Sequence, residues 1–161
     1  MEPIFKLEDK PGFRAIGRRR RFDRPREDSR AETQAFFAEA KAEGLFAQIA
    51  PLGAVEPLGI LSIYDSRSTG PNRGFDLWIA VASEAETPDD LEAIDIPAAS
   101  YLTFSAVGSF PDVLIELEDS AIEQLRLSPS LHSDSLDIEI HPFALGEGGM
   151  GACALWISIA R

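Results

Sequence analysis

Cysteine is almost missing from this 161-residue chain, with Cys153 alone. One thiol excludes an intrachain disulfide and any structural zinc site built on several thiolates. Histidine is scarce, with only His132 and His141. A Ser-His-Asp triad would need one of them, and no Gly-x-Ser-x-Gly elbow is present. No apolar run approaches the length of a membrane span, so no membrane association is expected. Met1-Glu2-Pro3-Ile4 has no basic start followed by an apolar stretch, so no secretory signal is expected either. These absences favour a cytoplasmic location. Basic residues are in deficit, 15 Lys and Arg against 27 Asp and Glu, a net charge of −12. Nucleic-acid binders need a basic footprint, so the chain as a whole repels nucleic acid and attracts cations.

What is present fits one domain over 1–161. Apolar residues make up 45% and charged residues 26%, a globular rather than disordered balance. The one basic concentration is Arg18-Arg19-Arg20-Arg21, with Arg14, Arg24, Arg26 and Arg30 around it. No aromatics interleave these arginines, as a single-strand binder requires. They read as a solvated strand end balancing an acidic surface.

Along the chain, Pro11-Gly12 marks a turn in an extended opening segment. Ser29 with Glu32 three residues on reads as a capping box. A helix follows through Ala47, with Ala35, Phe36, Ala40 and Phe46 on one face and Gly44 a soft spot near its end. Strands are expected over Leu58 to Tyr64 and Phe75 to Ser83, with a loop at 65–74 between them. An acidic loop, Glu84 to Glu92, closes the first half. The second half repeats the order. Ala93 to Val107 is extended and broken at Ile96-Pro97. Asp112 to Leu127 is helical, with Leu114, Leu117, Ala121, Ile122 and Leu125 on one face, and Pro129 stops it. Strands at Leu136 to Phe143 and Cys153 to Ala160 flank a glycine-rich loop, 146–151.

Leu77-Trp78-Ile79-Ala80-Val81-Ala82 resembles Leu155-Trp156-Ile157-Ser158-Ile159-Ala160. The match supports a duplication, with pseudo-repeats of about 1–90 and 91–161 related by a pseudo-twofold and a site between them. The expected fold is α+β: two strand-helix-strand-strand repeats, an antiparallel concave sheet and two main helices on one face.

Strand side chains alternate between faces. Phe75, Leu77, Ile79 and Val81 share one face with Leu155, Ile157 and Ile159, suited to packing under helices. The opposite faces carry small residues, Ala80, Ala82, Ala154 and Ser158, with Trp78 and Trp156. Tyr64, Glu139 and His141 are assigned to this second face. Together they suggest a groove with an alanine-rich floor and aromatic walls. One carboxylate among rings suits a hydrophobic, cationic small molecule: Glu139 supplies the countercharge, and the aromatics supply cation–π and apolar contact. The bland alternative is a buried strand tryptophan and a solvated glutamate.

Other chemistries lack support. Cys153 has no visible base. Gly146 to Gly151 lacks the Lys-Ser/Thr of a P-loop and is not followed by a helix. Glu139 and His141 could be two metal ligands, but no third is visible. No cofactor is implied.

The order and spacing of several segments resemble the GyrI-like, or AraC-type effector-binding, domains. The segments are Lys10-Pro11-Gly12-Phe13-Arg14-Ala15-Ile16-Gly17, Gly74-Phe75-Asp76-Leu77-Trp78-Ile79-Ala80-Val81, Ile96-Pro97-Ala98-Ala99-Ser100-Tyr101, Asp137-Ile138-Glu139-Ile140-His141 and Leu155-Trp156-Ile157-Ser158-Ile159. The resemblance implies a concave sheet groove in which a buried glutamate contacts cationic aromatic drugs. Glu139 matches that glutamate, and Trp78, Trp156, Tyr64 and Tyr101 are the implied aromatic counterparts. His141 stands where the family often has Tyr, Leu77 where it often has the Tyr of a Tyr-Trp pair, and Ser158 where it often has Pro. No helix-turn-helix precedes the domain, so direct DNA binding is not expected. Stand-alone members are similar to gyrase inhibitors, drug-sequestering proteins and, in one branch, hydrolases that open strained rings with pocket glutamates. A binding protein is therefore the leading expectation. A hydrolase is the enzyme alternative, with Asp76 or Asp137 as the second acid beside Glu139. An interaction module is the third, with a transcription regulator or gyrase as the partner and the arginine cluster as the contact.

Overall fold

The described residues form eight strands and three α-helices in the order β1 (Ile4–Lys10), β2 (Phe13–Phe22), α1 (Arg30–Ala42), α2 (Leu45–Ile49), β3 (Ile60–Asp65), β4 (Phe75–Ala82), β5 (Glu92–Ile96), β6 (Ala99–Ser109), α3 (Asp112–Leu127), β7 (His132–His141) and β8 (Met150–Ile159). This computed structural model describes residues 4–67, 73–109, 112–127, 132–143 and 150–159. Pro129 and the loop at 144–149 lie outside the described residues, as do 68–72.

All strands join one antiparallel sheet, ordered β1-β6-β8-β7-β3-β4-β2-β5. The order reads the same from either end once repeat is exchanged for repeat. Each repeat is strand-strand-helix-strand-strand, and its first strand joins the other repeat: β1 pairs with β6 and β5 with β2. The pseudo-twofold passes between β3 and β7, where Ile63 faces Ile138. Trp78 pairs with Ile63 and Trp156 with Ile138, so the two tryptophans are pseudo-symmetry mates.

The short links force the sheet to curl. Only Pro97 and Ala98 join β5 to β6, a reach of about 11 Å. In a flat sheet those strands, six spacings apart, would stand about 29 Å from each other. The link Pro11-Gly12 crosses the same place: a Cβ on Gly12 would lie 2.9 Å from Ile96 O and 3.0 Å from Ala98 N. Glycine is required there by the close approach.

The curl separates three apolar clusters. The inner, helix-free face holds Ala15, Leu61, Ile63, Trp78, Tyr101, Ile138 and Trp156. On the outer face, α1 and α2 bring Phe36, Ala40, Leu45 and Ile49 onto Ile16, Leu77, Ile79 and Val81. On the same face α3 brings Val113, Leu117 and Ala121 onto Leu102, Phe104, Leu155 and Ile157. Full burial of each large side chain here contributes about 1.5–3 kcal/mol.

The helices follow the expected spacing with two differences. Gly44 has φ +79° and ends α1 in a left-handed turn before α2 begins, so the first helix is two helices. Ser29 stands at the N-cap of α1, but its hydroxyl donates to the carbonyls of Pro25 (3.0 Å) and Arg24 (3.2 Å). The capping box does not form, and Glu32 pairs with Arg24 instead.

Candidate functional site

The two helix-covered clusters leave the central strands β3 and β7 between them. On the outer face these strands carry Ser62, Tyr64, Asp137, Glu139 and His141. Cross-strand pairing fixes this: Tyr64 pairs with Leu77 and with Asp137, and Glu139 pairs with Leu155 and Ser62. Leu77 and Leu155 both belong to the helix-side clusters. A row of polar side chains therefore occupies the outer face of the two central strands, between the strands that α1 and α3 cover.

This corrects the expected site. Trp78, Trp156 and Tyr101 lie on the opposite, inner face, and the register separates them from Glu139, Tyr64 and His141. All three are buried, with 5%, 9% and 1% exposure. Tyr101 packs against Trp156 with ring centroids 5.4 Å apart. The chain's own cations shield both tryptophans, Arg19 over Trp78 and Lys10 over Trp156. The aliphatic residues of β3 and β7, Leu61, Ile63 and Ile138, face inward because no helix covers those strands outside.

Glu139 lies in the middle of this polar row, 2% exposed. The Tyr64 hydroxyl donates to its Oε1 at 2.8 Å. Its Oε2 is buried and, apart from the Glu118 acid of α3, meets no hydroxyl or N–H donor among the described residues. Burial, and then the Glu139 charge, hold the Tyr64 hydroxyl well above its ordinary range, so it remains a donor. A short aromatic contact fixes the ring, with Phe75 5.8 Å away and tilted by 42°.

The second acid is Glu118 of α3. Burial, a hydrogen bond to Glu139 and repulsion by Glu139 push it up to about 8, against the pull of Arg26 and Arg30. Glu118 is therefore a neutral acid at pH 7 that donates to Glu139. Successive helical residues turn by 100°, so Ile115 and Ile122, three before and four after Glu118, share its flank. Both are half exposed, at 52%, and give that wall an apolar surface. Sequence reasoning missed Glu118; the available signal was its place beside the buried stripe of Leu117 and Ala121.

Arg26 was also missed as a site residue. It sits on a 3₁₀ turn, Arg26–Asp28, before α1. Its Cζ lies 3.6 Å from the centroid of the Tyr64 ring, and its Nη1 donates to Asp137 Oδ2 at 3.0 Å. The other Asp137 oxygen, Oδ1, accepts from the Ser158 backbone N–H at 3.1 Å. Asp76, on the inner face, is engaged by Arg19 and Arg21, so it is not the second acid beside Glu139. At the end of the polar row, His141 Nε2 and Ser62 Oγ lie 3.1 Å apart. Burial pushes the imidazole down to about 4, with Glu118 pulling the other way, so the ring is neutral at pH 7.

The arginine run is paired throughout. Arg18 and Arg20 reach Glu43 and Glu39 around α1, while Arg19 and Arg21 reach Asp76 on the other face. Among the described residues no group of three metal-ligating side chains forms, and no helix is long and apolar enough to cross a membrane. Burial raises the Cys153 thiol, so it stays a buried, protonated thiol. A shallow hollow of about 190 Å³ opens on the inner face between Lys6, Lys10, Thr103 and Trp156, away from these carboxyl groups.

A family profile described as Cass2, integron-associated effector binding protein, matches residues 6–159. Three solved structures share the fold. SAV2435 bound to tetraphenylphosphonium has a TM-score of 0.83 at 13% identity, covering 98% of this chain and 94% of that one. A Staphylococcus aureus protein described as a bacterial transcription regulation protein has a TM-score of 0.82 at 13% identity, covering 98% and 99%. An integron cassette protein of Vibrio cholerae has a TM-score of 0.69 at 17% identity, covering 97% and 95%. No curated protein matches the sequence.

Proposed function

The chain belongs to the family of integron-associated effector binding proteins, and on that premise we propose that it binds a hydrophobic monocation in the groove between α1 and α3. The observation that carries this reading is Glu139: a buried carboxylate with one oxygen on Tyr64 and no N–H or alcohol donor on the other among the described residues, only the Glu118 acid beside it. A delocalised cation satisfies such a group without demanding a hydrogen-bond network. The Tyr64 ring adds cation–π attraction, and Ile115 and Ile122 add apolar contact. Glu118, neutral beside Glu139, keeps the pair at a single negative charge. The related fold of SAV2435 holds tetraphenylphosphonium, which supports the same class of ligand here. The GyrI-like resemblance adds the expectation of a groove glutamate, and Glu139 fills that role.

Calorimetric titration tests this with tetraphenylphosphonium, tetraphenylborate of the same shape and opposite charge, and neutral triphenylphosphine oxide. Saturable binding of the phosphonium alone, weakened in Glu139→Gln, supports the reading. Equal binding of all three, or binding indifferent to Glu139, overturns it.

One observation favours a second reading. Glu118 as a neutral acid against the Glu139 carboxylate is the pairing a hydrolase uses, one group protonating a leaving oxygen and the other activating water. Steady turnover of a strained-ring electrophile such as an epoxide, abolished in Glu118→Gln, would establish that reading. Binding without turnover leaves the protein a receptor. The paired arginine run gives no comparable support to an interaction module.

A further inference from the structure

We propose that Arg26 is the resident cation of this groove, and that a ligand cation binds by taking the place of its guanidinium on Tyr64. The inference rests on reading the groove as a cation site. Arg26 already makes the contacts that reading assigns to a ligand. Its guanidinium sits over Tyr64 with Cζ 3.6 Å from the ring centroid, and it pairs with Asp137. Phe75 packs near the same ring at 5.8 Å.

Two cations do not share that face. At contact distance the repulsion between like charges exceeds the attraction of one ring quadrupole. An incoming cation must therefore send the guanidinium away, and the route exists. Arg26 keeps 37% of its side chain exposed. Its backbone is held independently by the turn bonds from Asp28 N to Pro25 O and from Ser29 N to Arg26 O. The side chain can leave without unmaking the turn. Asp137 stays in place through its separate bond from Ser158 N, so the vacated position keeps its charge.

Competition of this kind sets specificity. The apparent affinity falls by the fraction of time that the guanidinium is away. A small hydrated ion gains too little from the ring to compete. A broad delocalised cation gains from Tyr64, Ile115 and Ile122 together. Arg26 thus filters for bulk and apolarity.

The test follows Arg26 itself. In ¹⁵N-labelled protein the Arg26 Nε–Hε signal, assigned by its loss in Arg26→Lys, is expected upfield of the other arginines because the guanidinium carbon sits 3.6 Å from the Tyr64 ring centroid. Saturation with tetraphenylphosphonium, followed by calorimetry on the same samples, is expected to return the signal to the position of a free arginine. Arg26→Gln is expected to bind at least about fivefold more tightly, since its competitor is gone. An upfield signal that persists at saturation overturns the inference while leaving ligand binding intact, and so does unchanged or weaker binding by Arg26→Gln. No binding in either protein overturns the cation reading of the groove, and this inference with it.

Discussion

Tyr64 and Glu139 occupy pseudo-equivalent positions in the two repeats, and they hydrogen-bond to each other across the symmetry axis. Ile63 and Ile138 face one another at that axis, and Tyr64 and Glu139 each follow by one residue. The phenolic O–H of Tyr64 donates to Glu139 Oε1 at 2.8 Å. The duplication thus supplied two matching places, and one became a donor and the other an acceptor.

Removing the donor exposes the cost of the buried charge. Tyr64→Phe should destabilise the fold by about 1–3 kcal/mol, because Glu139 then loses its hydroxyl partner. Glu139→Gln should cost less, since it replaces a buried charge with a neutral group. Its ligand affinity should fall about tenfold or more, equivalent to about 1.4 kcal/mol. A double-mutant cycle by urea denaturation, with calorimetry on each variant, checks both. A Tyr64→Phe variant as stable as wild type would remove the argument.

Glu118 and His141 give stability opposite pH slopes. Glu118 is raised from 4.5 to about 8. Between those values the folded state holds a proton that the unfolded state has lost, so its contribution declines as pH rises through that window. His141 is lowered from 6.5 to about 4. Between those values the unfolded state holds the extra proton, so its contribution grows as pH rises. Above about pH 6.5 only the Glu118 slope remains, and Glu118→Gln should remove it. Melting temperatures from pH 5 to 9 for wild type and Glu118→Gln read the difference directly. Cation affinity should rise through pH 8 in wild type, as Glu118 gains its charge, and stay flat in the variant.

The tryptophans should be nearly silent to the ligand. Trp78 and Trp156 sit on the inner face, with the sheet between them and Glu139. Trp78→Phe and Trp156→Phe should each bind tetraphenylphosphonium within about twofold of wild type, as separate sites do. Deep quenching of either indole by contact with the ligand would move the site to the inner face.

Gly59 tests the alignment of the central strands. It has φ +137°, and a Cβ there would stand 2.3 Å from His141 O. Gly59→Ala should cost on the order of 2 kcal/mol or more, as strain plus backbone clash, and weaken ligand binding by shifting β3 against β7. Thermal denaturation and calorimetry measure the two effects. A neutral substitution would mean that the start of β3 does not hold the groove's register.

Much of the fold is legible in the sequence. The helix at Asp112 to Leu127 matches α3 end to end, because its apolar spacing and the prolines around it act locally. The repeat was legible because Trp78 and Trp156 keep their place in matching strands. That Glu139 and Tyr64 share the face opposite Trp78 and Trp156 was not, since alternation gives two faces per strand without saying which is which. The phase reverses between β4 and β3: Leu77 and Tyr64 pair on the outer face, although one is aliphatic and the other polar-tipped. Beneath the helices the outer face must be apolar, and between them it need not be.

Sequence alone determined the strand and helix content, the duplication, the single-thiol chemistry and the excess of negative charge, because each is carried by composition or by neighbours along the chain. Tertiary structure decided which carboxyl groups meet. Glu118 reaches Glu139 from a helix in the same repeat, and Arg26 reaches Tyr64 and Asp137 from a turn more than a hundred residues before Asp137. Such encounters depend on register and on the curl imposed by two short links, and neither leaves a periodic mark in the sequence.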